Sequence, residues 1–563
     1  MNKKICLIDV TLSKYKGDIE NIGLCSIASY LRKNLIDIDL MSISICEEIK
    51  NIANEIYERK YSLIGFSMFH TNTRFIYKLC EELKKLNPSI IIYGGGKFAT
   101  NCSELILDNC KYIDFILLGD GEEPTLEIAN HIDDFSYIEN LPYIKTRNTT
   151  VNKSVWKTNC LSNKPWPSRD FLIESSEYFT MARLSASRGC CGSCTFCCVH
   201  NTNSTGKAWI GRDILDVFAE VIYLYKIYDV KTFLFCDGSF EDPGNLGKKR
   251  IKEFCELILK YGVTFSFRCF IRAETFKKND EKLIELMAAA GFTMVYIGIE
   301  SGNERDLEIY NKRASIEDNH NAISLFSKHG INVFMGFIMF NPYSTENTIL
   351  NNYNFLVSVQ AYRLDHYVRP LELYYGTKIE QQAKKDQLLK KDYTYLNPDK
   401  YIFVNKNIER IVNFIKEYIL NSKLMEYDNS LYDFLHLVYS YLALYPDKDS
   451  NIKDALSVYK QELFNIFSEY FKIIYVENNI EKAKEKYNDF YESAEKIYKK
   501  INDFKIKFLL NKKFRTHIKN KKNKLGNIYA RTKMQKNEKS NYVLLKKLAF
   551  YTLFYIMYRM ITH

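Results

Sequence analysis

Short apolar runs separated by amphipathic stretches dominate the first 140 residues. Ile5–Val10, Ile38–Ile43, Leu63–Phe69, Ile90–Tyr93 and Phe115–Leu118 are near-continuous apolar runs, the signature of strands covered on both faces. Between them, Ile22–Lys33 and Arg74–Leu86 carry apolar residues at helical spacing. This alternation predicts a doubly wound parallel sheet over 1–140, with ligands beyond the carboxyl ends of its strands. Residues 141–180, punctuated by Pro142, Pro165 and Pro167, read as a linker. A second series follows over 181–380. Its strands are Ala182–Ser187, Thr232–Cys236, Thr264–Phe270, Met294–Ile299, Val333–Met339 and Tyr367–Leu373, with helices such as Ile214–Tyr228 and Lys249–Lys260 between them. Six βα units predict a partial (β/α)6 barrel. From 381 to 563 the pattern becomes all-α: Ile408, Ile411, Val412, Ile415, Tyr418 and Ile419 lie on one helical face, and similar faces run through Leu431–Tyr445, Ala455–Phe471 and Ile480–Phe508.

Composition sharpens this picture in three places. The chain has 563 residues, too many for one core. Its formal charge of +11 is concentrated in the segment 505–539, where thirteen Lys and Arg face the single acid Glu538, so the remainder is close to neutral and no nucleic-acid partner is expected. The sequence carries no signal-peptide pattern and no apolar run long enough for a membrane span, which predicts a cytoplasmic protein without membrane contact. In a reducing compartment its 15 cysteines favour a metal site and core thiols over a disulfide framework. The basic segment suits an acidic electron donor, and Leu548–Tyr558 after it suits a helix docked on the body.

The chemistry centres on Ser187-Arg-Gly-Cys-Cys-Gly-Ser-Cys-Thr-Phe-Cys-Cys198. Cys190, Cys194 and Cys197 give a Cys-x3-Cys-x2-Cys spacing directly after a strand. Three thiolates on a four-iron cube leave one iron open to a further ligand. The same spacing also allows structural zinc with His200 as a fourth ligand. Cys191 and Cys198 break the spacing and read as neighbours; Cys198 in place of Cys197 is the less favoured set.

This segment resembles the cluster loop of the radical S-adenosylmethionine (SAM) superfamily, and later motifs agree. Phe235-Cys-Asp-Gly-Ser-Phe240, Ile271-Arg-Ala-Glu274, Tyr296-Ile-Gly-Ile-Glu-Ser-Gly302 and Leu371-Glu-Leu-Tyr-Tyr-Gly-Thr377 are similar to that family's strand ends. The fifth strand, Met335-Gly-Phe-Ile-Met-Phe-Asn-Pro342, departs from it by lacking a second glycine. The resemblance implies a [4Fe–4S] cluster on Cys190, Cys194 and Cys197 and SAM contacts at Phe196, Asp237, Arg272, Glu300 and Ser301.

The N-terminal stretch resembles cobalamin-binding domains of flavodoxin-like fold. Asp18-Ile-Glu-Asn-Ile-Gly23 stands where those domains have Asp-x-His-x-x-Gly, with Glu20 in place of the cobalt-binding His; His70 is a remote alternative ligand. Gly65-Phe-Ser-Met-Phe69, Tyr93-Gly-Gly-Gly96 and Leu118-Gly-Asp-Gly-Glu122 match further motifs. The implied cobalamin contacts are Glu20, Gly23, Ser67, Phe69, Gly94, Gly95, Gly119, Gly121 and Glu122, with the cobalt lacking a His ligand. Together the resemblances imply a cobalamin-dependent radical SAM methyltransferase that uses a 5′-deoxyadenosyl radical and methylcobalamin on an unactivated carbon or phosphorus centre. They also imply a flavodoxin or ferredoxin-type electron donor and a small-molecule or peptide substrate. Three alternatives stand beside this: ring contraction or cyclisation with the same cofactors, a methylthiotransferase, and a non-enzymatic cobalamin or redox sensor. The scattered cysteines Cys6, Cys25, Cys46, Cys80, Cys102 and Cys110 disfavour the methylthiotransferase.

Overall fold

The structure is a computed structural model; it describes residues 4–12, 20–149, 153–174, 181–198, 208–445 and 450–510. Residues 512–539 of the basic segment, Leu548–Tyr558, Asp18 and His200 therefore lie outside the described residues.

The N-terminal sheet is built from β1 (Ile5–Thr11), β2 (Ile38–Ser44), β3 (Leu63–Ser67), β4 (Ile91–Gly95), β5 (Phe115–Leu117) and β6 (Ile144–Lys145), in the order β2-β1-β3-β4-β5-β6. The first five strands run parallel and β6 joins antiparallel at the edge. Alternate side chains enter two separate cores. Ile5, Leu7, Leu63, Phe115 and Leu117 face one side, and Cys6, Ile8, Ile64, Phe66, Ile92 and Ile116 the other. Burial on both faces explains the near-continuous apolar runs. The helix Ile22–Lys33 starts where the Asn21 side chain accepts the Leu24 N–H at 3.2 Å, and Arg32 and Lys33 lie in its last turn.

The second sheet comprises β7 (Met181–Leu184), β10 (Thr232–Phe235), β11 (Ser266–Arg272), β12 (Phe292–Glu300) and β13 (Asn332–Phe337). All are parallel, in the order β13-β12-β11-β10-β7. Between β7 and β10, β8 (Ser187–Gly189) and β9 (Trp209–Gly211) pair antiparallel. The expected sixth strand differs. Leu364–Val368 is a helix, and only a single parallel bridge, Phe340 to Pro370, continues the sheet. Pro370 has no N–H to extend a ladder, which is why the pairing stops there.

On β11, Phe267, Cys269 and Ile271 point into the outer core, and Arg268 and Arg272 project from the opposite face. The helix Lys423–Leu444 lies against this inner face. Arg268 Nη1 meets His436 Nδ1 at 2.6 Å, and its other guanidine nitrogen donates to Ser440 Oγ and the His436 carbonyl. One apolar core runs from Leu172 through Phe508, so the helical region and the barrel are packed as one body without a break at 380.

The linker is tied at both ends. Trp156 N donates to the Leu118 carbonyl at 2.9 Å, and Asp120 N to the Trp156 carbonyl at 3.0 Å. Further on, Arg169 is buried between the N-terminal domain and the barrel.

Candidate functional site

The cluster loop leaves the barrel after β8 and is held from several sides. Cys190 N donates to the Ala208 carbonyl at 3.2 Å, Thr195 N to the Tyr310 carbonyl at 2.9 Å, and Cys191 N to Asp242 Oδ2 at 2.7 Å. Gly238, just beyond β10, presses against the loop so closely that a Cβ there would lie 2.7 Å from the Gly189 carbonyl oxygen. The Cys190 and Cys194 sulfurs flank Gly192, 3.4 and 4.0 Å from where its Cβ would be, and Gly192 N donates to Cys190 Sγ at 3.3 Å. None of the five cysteines of the loop is in a disulfide. Among the described residues no three His, Cys, Asp or Glu side chains converge on the position of a single ion. A four-iron cube is a larger body, taking each thiolate at a separate corner. The donor chemistry, three thiolates with an N–H aimed at one sulfur, fits such a cluster. Burial pushes the Cys190 thiol up to about 12 and raises Cys194, while Arg272 and Lys312 respectively pull them back. Asp242 and Glu241 beside Cys190, and Glu300 and Glu274 beside Cys194, act in the opposite sense to these cations.

Around that loop stand the implied SAM residues. Phe196 packs edge-on against Tyr310, ring centroids 5.4 Å apart. Arg272 binds Asp242, Glu274 (3.1 Å) and Glu241 (3.4 Å) together. Glu300 ends β12 with φ +66°, a left-handed conformation that costs backbone energy in a non-glycine residue. Its carboxyl is raised by burial and opposed by the Lys312 ammonium 3.7 Å away. Asp237 and Ser301 are placed differently. Asp237 accepts the Ala186 N–H at 3.1 Å and the Ser187 hydroxyl, so both its oxygens serve the base of the cluster loop. Ser301 is fully buried in a network with Asn303, Asp306 and Asn352. Sequence reasoning passed over Glu241, Asp242 and Lys312. Glu241 is fully buried, and its Oε2 and that of Glu274 have no partner among the described residues. These orphaned acceptors fit a cationic group such as an α-ammonium. Their only signal was proximity in sequence to strand-end motifs.

A cavity of about 840 Å³ opens where the two sheets present their strand ends to each other. Gly23, Ser67, Phe69, Gly95, Gly119, Gly121 and Glu122 line it from the N-terminal domain. Ser185, Ser187, Arg188, Gly189, Cys236 and Gly238 line it from the barrel. It therefore reaches the residues immediately preceding Cys190. Arg188 joins the two walls, bonding Glu122 and lying 3.3 Å from Asp120. Burial would raise the Glu122 carboxyl, but Arg188 and Lys164 bring it below its ordinary value. Bare glycine backbone on two neighbouring strand ends gives the close approach a large planar cofactor needs.

Glu20 and Gly94 do not line the cavity. A Cβ on Gly94 would sit 2.4 Å from Met68 Sδ, so its glycine serves packing. Glu20 is 3% exposed, and both its oxygens are engaged. Arg169 Nη1 lies 3.1 and 3.2 Å from them, and Arg183 N donates to Oε2 at 2.7 Å. Arg169 also holds Glu220 at 2.6 Å, and Glu220 binds Arg212. Glu20 is thus the N-terminal domain's end of a buried ion chain into the barrel. His70 lies beside Tyr374, ring centroids 5.4 Å apart, and burial lowers its basicity.

Comparison with known proteins agrees with this geometry. The B12 binding domain family matches residues 8–129, and the Radical SAM superfamily matches residues 184–356. The chain is an enzyme combining a B12-binding domain with a radical SAM domain, and its cofactors are cobalamin, SAM and a [4Fe–4S] cluster. It is 26% identical over 399 residues to an uncharacterized methyltransferase of Pyrococcus horikoshii, spanning 67% of this chain and 82% of that one. It is 27% identical over 350 residues to the anaerobic magnesium-protoporphyrin IX monomethyl ester cyclase of Rubrivivax gelatinosus, spanning 58% of this chain but 60% of the cyclase. Its fold is that of the cobalamin-dependent SAM radical enzyme OxsB solved with aqua-cobalamin, with TM-score 0.63, 20% identity, and coverage of 94% and 84% of the two chains. Among the described residues no helix is long and apolar enough to cross a membrane.

Proposed function

We propose that this enzyme transfers a methyl group from SAM, by way of cobalamin, to an unactivated carbon or phosphorus centre of a small molecule or peptide. The observation that carries the proposal is the continuity of the cavity with the cluster loop. Ser187, Arg188 and Gly189 line the cavity, and the next residue is Cys190. When bound, the cluster supplies the electron that cleaves SAM and cobalamin supplies the methyl carrier. The chain's own residues position and shield. Cys190, Cys194 and Cys197 would hold the cluster. Glu241, Glu274 and Glu300 offer carboxylates to its cationic and hydroxyl groups, and Arg272 with Lys312 balances their charge. The glycine-lined strand ends would admit the corrin, and the Arg188–Glu122 pair closes the wall between the domains. No side chain is assigned as an acid or base, because the reaction transfers no proton that the site must carry. An acidic flavodoxin or ferredoxin-type donor suits the basic segment 505–539.

A second reading is cyclisation or ring contraction with the same cofactors, favoured by the likeness to the cyclase. Product bookkeeping separates them. Methyl transfer releases S-adenosylhomocysteine and 5′-deoxyadenosine in equal amounts, whereas cyclisation releases no S-adenosylhomocysteine. Anaerobic turnover of cluster- and cobalamin-loaded protein with methyl-labelled SAM, followed by mass spectrometry, reads both products at once.

A further inference from the structure

Two arginines stand in one row on the inner face of the barrel sheet, and neither forms an ion pair among the described residues. Leu234 is the register partner of Arg183 on β7 and of Arg268 on β11, so the three lie side by side across neighbouring strands. Ala182, Leu184, Phe233, Phe235, Phe267 and Cys269 fill the outer core, which turns Arg183 and Arg268 inward. The spacing of neighbouring strands puts their Cα atoms about 10 Å apart. Arg183 is half-buried, and its guanidinium makes no hydrogen bond or ion pair among the described residues. Arg268 is 3% exposed, and its Nε–H has no partner among the described residues. Its other guanidine nitrogens meet only His436 and Ser440. Burial and the Arg268 and Arg363 charges hold the His436 imidazole far below its ordinary basicity, so this partner is neutral. Burial lowers the basicity of Arg268 as well, and the groups that act against this are the Tyr296 and Tyr432 phenols, not a carboxylate.

The acids nearby are engaged elsewhere. Glu241, Asp242 and Glu274 gather on Arg272, and Glu300 faces Lys312, nearer the strand ends. Asp9, on the N-terminal domain, feels the Arg183 charge, yet it forms no ion pair with it and accepts the Asn21 amide at 2.8 Å. Between the arginine row and the strand ends lies an open ledge. Phe270 is the next inward residue after Arg268; it is 38% exposed and stacks on Tyr296, ring centroids 4.6 Å apart. Cys236, two residues after Leu234, lines the cavity, and Arg183 is the first charge to oppose the rise that burial imposes on its thiol. A buried cation without a counter-charge is costly, so folding alone does not account for this row. The guanidinium fork matches a carboxylate or a phosphate, and a flat apolar ledge beside it suits the body that carries such a group.

We propose that the substrate is an anionic small molecule whose carboxylate or phosphate is bound by Arg183, with Arg268 adding positive potential from beneath and Phe270 carrying the apolar body. This rests on the proposed function and narrows its substrate, but its test needs no turnover, so a failed methyl transfer and a failed anion site are read separately. Enzyme loaded with cluster, cobalamin and SAM is titrated anaerobically with phenyl phosphate, phenylacetate and neutral benzyl alcohol. Binding is read by calorimetry and by the rise in melting midpoint. At least one of the two anions should bind about tenfold or more tightly than benzyl alcohol, and the tighter anion tells which group the substrate carries. Arg183→Gln should weaken that anion by about tenfold or more, the scale of one charge-assisted hydrogen bond, and Arg183→Lys should keep part of the affinity. Arg268→Met should weaken the same anion by a smaller factor. SAM affinity, measured alongside, should stay within about twofold in all three variants, which separates loss of the anion site from loss of folding. Anionic and neutral probes that bind alike, anion affinity unchanged in Arg183→Gln, or anion and SAM affinity lost together in both Arg183→Gln and Arg183→Lys would overturn the proposal.

Discussion

Replacing Arg169 with Met removes the centre of the buried chain that joins the N-terminal domain to the barrel. Arg169 is 5% exposed; Glu20 and Glu220, its two carboxylate partners, are 3% and 1% exposed. Solvent screening is therefore slight. The substitution strands both carboxylates, though Glu20 keeps the Arg183 N–H and Glu220 keeps Arg212. Breaking one member of a buried ion pair costs about 3–5 kcal/mol, and the surviving contacts put the expectation near the lower end, about 3 kcal/mol. Glu20→Gln is milder, because an amide oxygen can still accept the Arg183 N–H; about 1–2 kcal/mol is expected. The assay is urea unfolding followed by tryptophan fluorescence. Trp166 is a local reporter, its indole N–H donating to Asp216, which also binds Arg212. The first transition is compared between variants, since a chain of this size need not unfold in one step. In the double variant Glu20→Gln/Arg169→Met the two losses should fail to add by about 1 kcal/mol or more. Additive losses, or an Arg169→Met shift below about 1 kcal/mol, would refute the chain and release Glu20 for another role.

Other expectations follow from the same geometry. Cys190→Ala, Cys194→Ala or Cys197→Ala should abolish cluster assembly and SAM cleavage, while Cys191→Ala and Cys198→Ala keep both; anaerobic iron and sulfide analysis decides, and full iron in Cys194→Ala would refute the ligand set. Burial holds the Asp237 carboxyl at about 6, against the ordinary 3.8, so the folded protein favours its neutral form. Its contribution is complete below the unfolded value and is lost as pH rises from there through about 6, so Asp237→Asn should gain stability relative to wild type between about pH 4 and pH 6 and keep that gain at higher pH; a pH-independent difference in melting midpoint would contradict this. Gly119→Ala drives a methyl group into the Trp156 carbonyl, and should lower the melting point and displace the backbone around Trp156, seen as a red-shifted tryptophan emission. Because Glu20, which has no nitrogen to offer and is bound by Arg169, stands where a His ligand would be, the EPR spectrum of bound cob(II)alamin should lack nitrogen superhyperfine splitting from an axial ligand; a split spectrum would contradict it.

Much of this architecture is legible from apolar patterning because both sheets are buried on both faces, and such strands announce themselves as apolar runs. The sixth strand failed because Tyr367–Leu373 is as apolar as a strand, yet Arg363 bonds Asp428 beside a short helix and Pro370 cannot continue a ladder. Motif spacing located the cluster loop and the glycine-rich strand ends. It could not distinguish residues facing the cavity from those beneath it. Asp237 sits in the expected segment, but its oxygens are taken by Ala186 and Ser187. Glu20 occupies the expected position, and the partner that fixes its role lies 149 residues away in a stretch that reads as an irregular linker. Glu241 and Lys312 lie outside any periodic pattern, since lone polar residues at strand ends carry no repeat.

The most direct test of the central claim is the ratio of S-adenosylhomocysteine to 5′-deoxyadenosine during anaerobic turnover of the cluster- and cobalamin-loaded enzyme with methyl-labelled SAM and its substrate. Methyl transfer predicts a ratio near one with the label carried into product; 5′-deoxyadenosine without S-adenosylhomocysteine, and a product free of label, would contradict it.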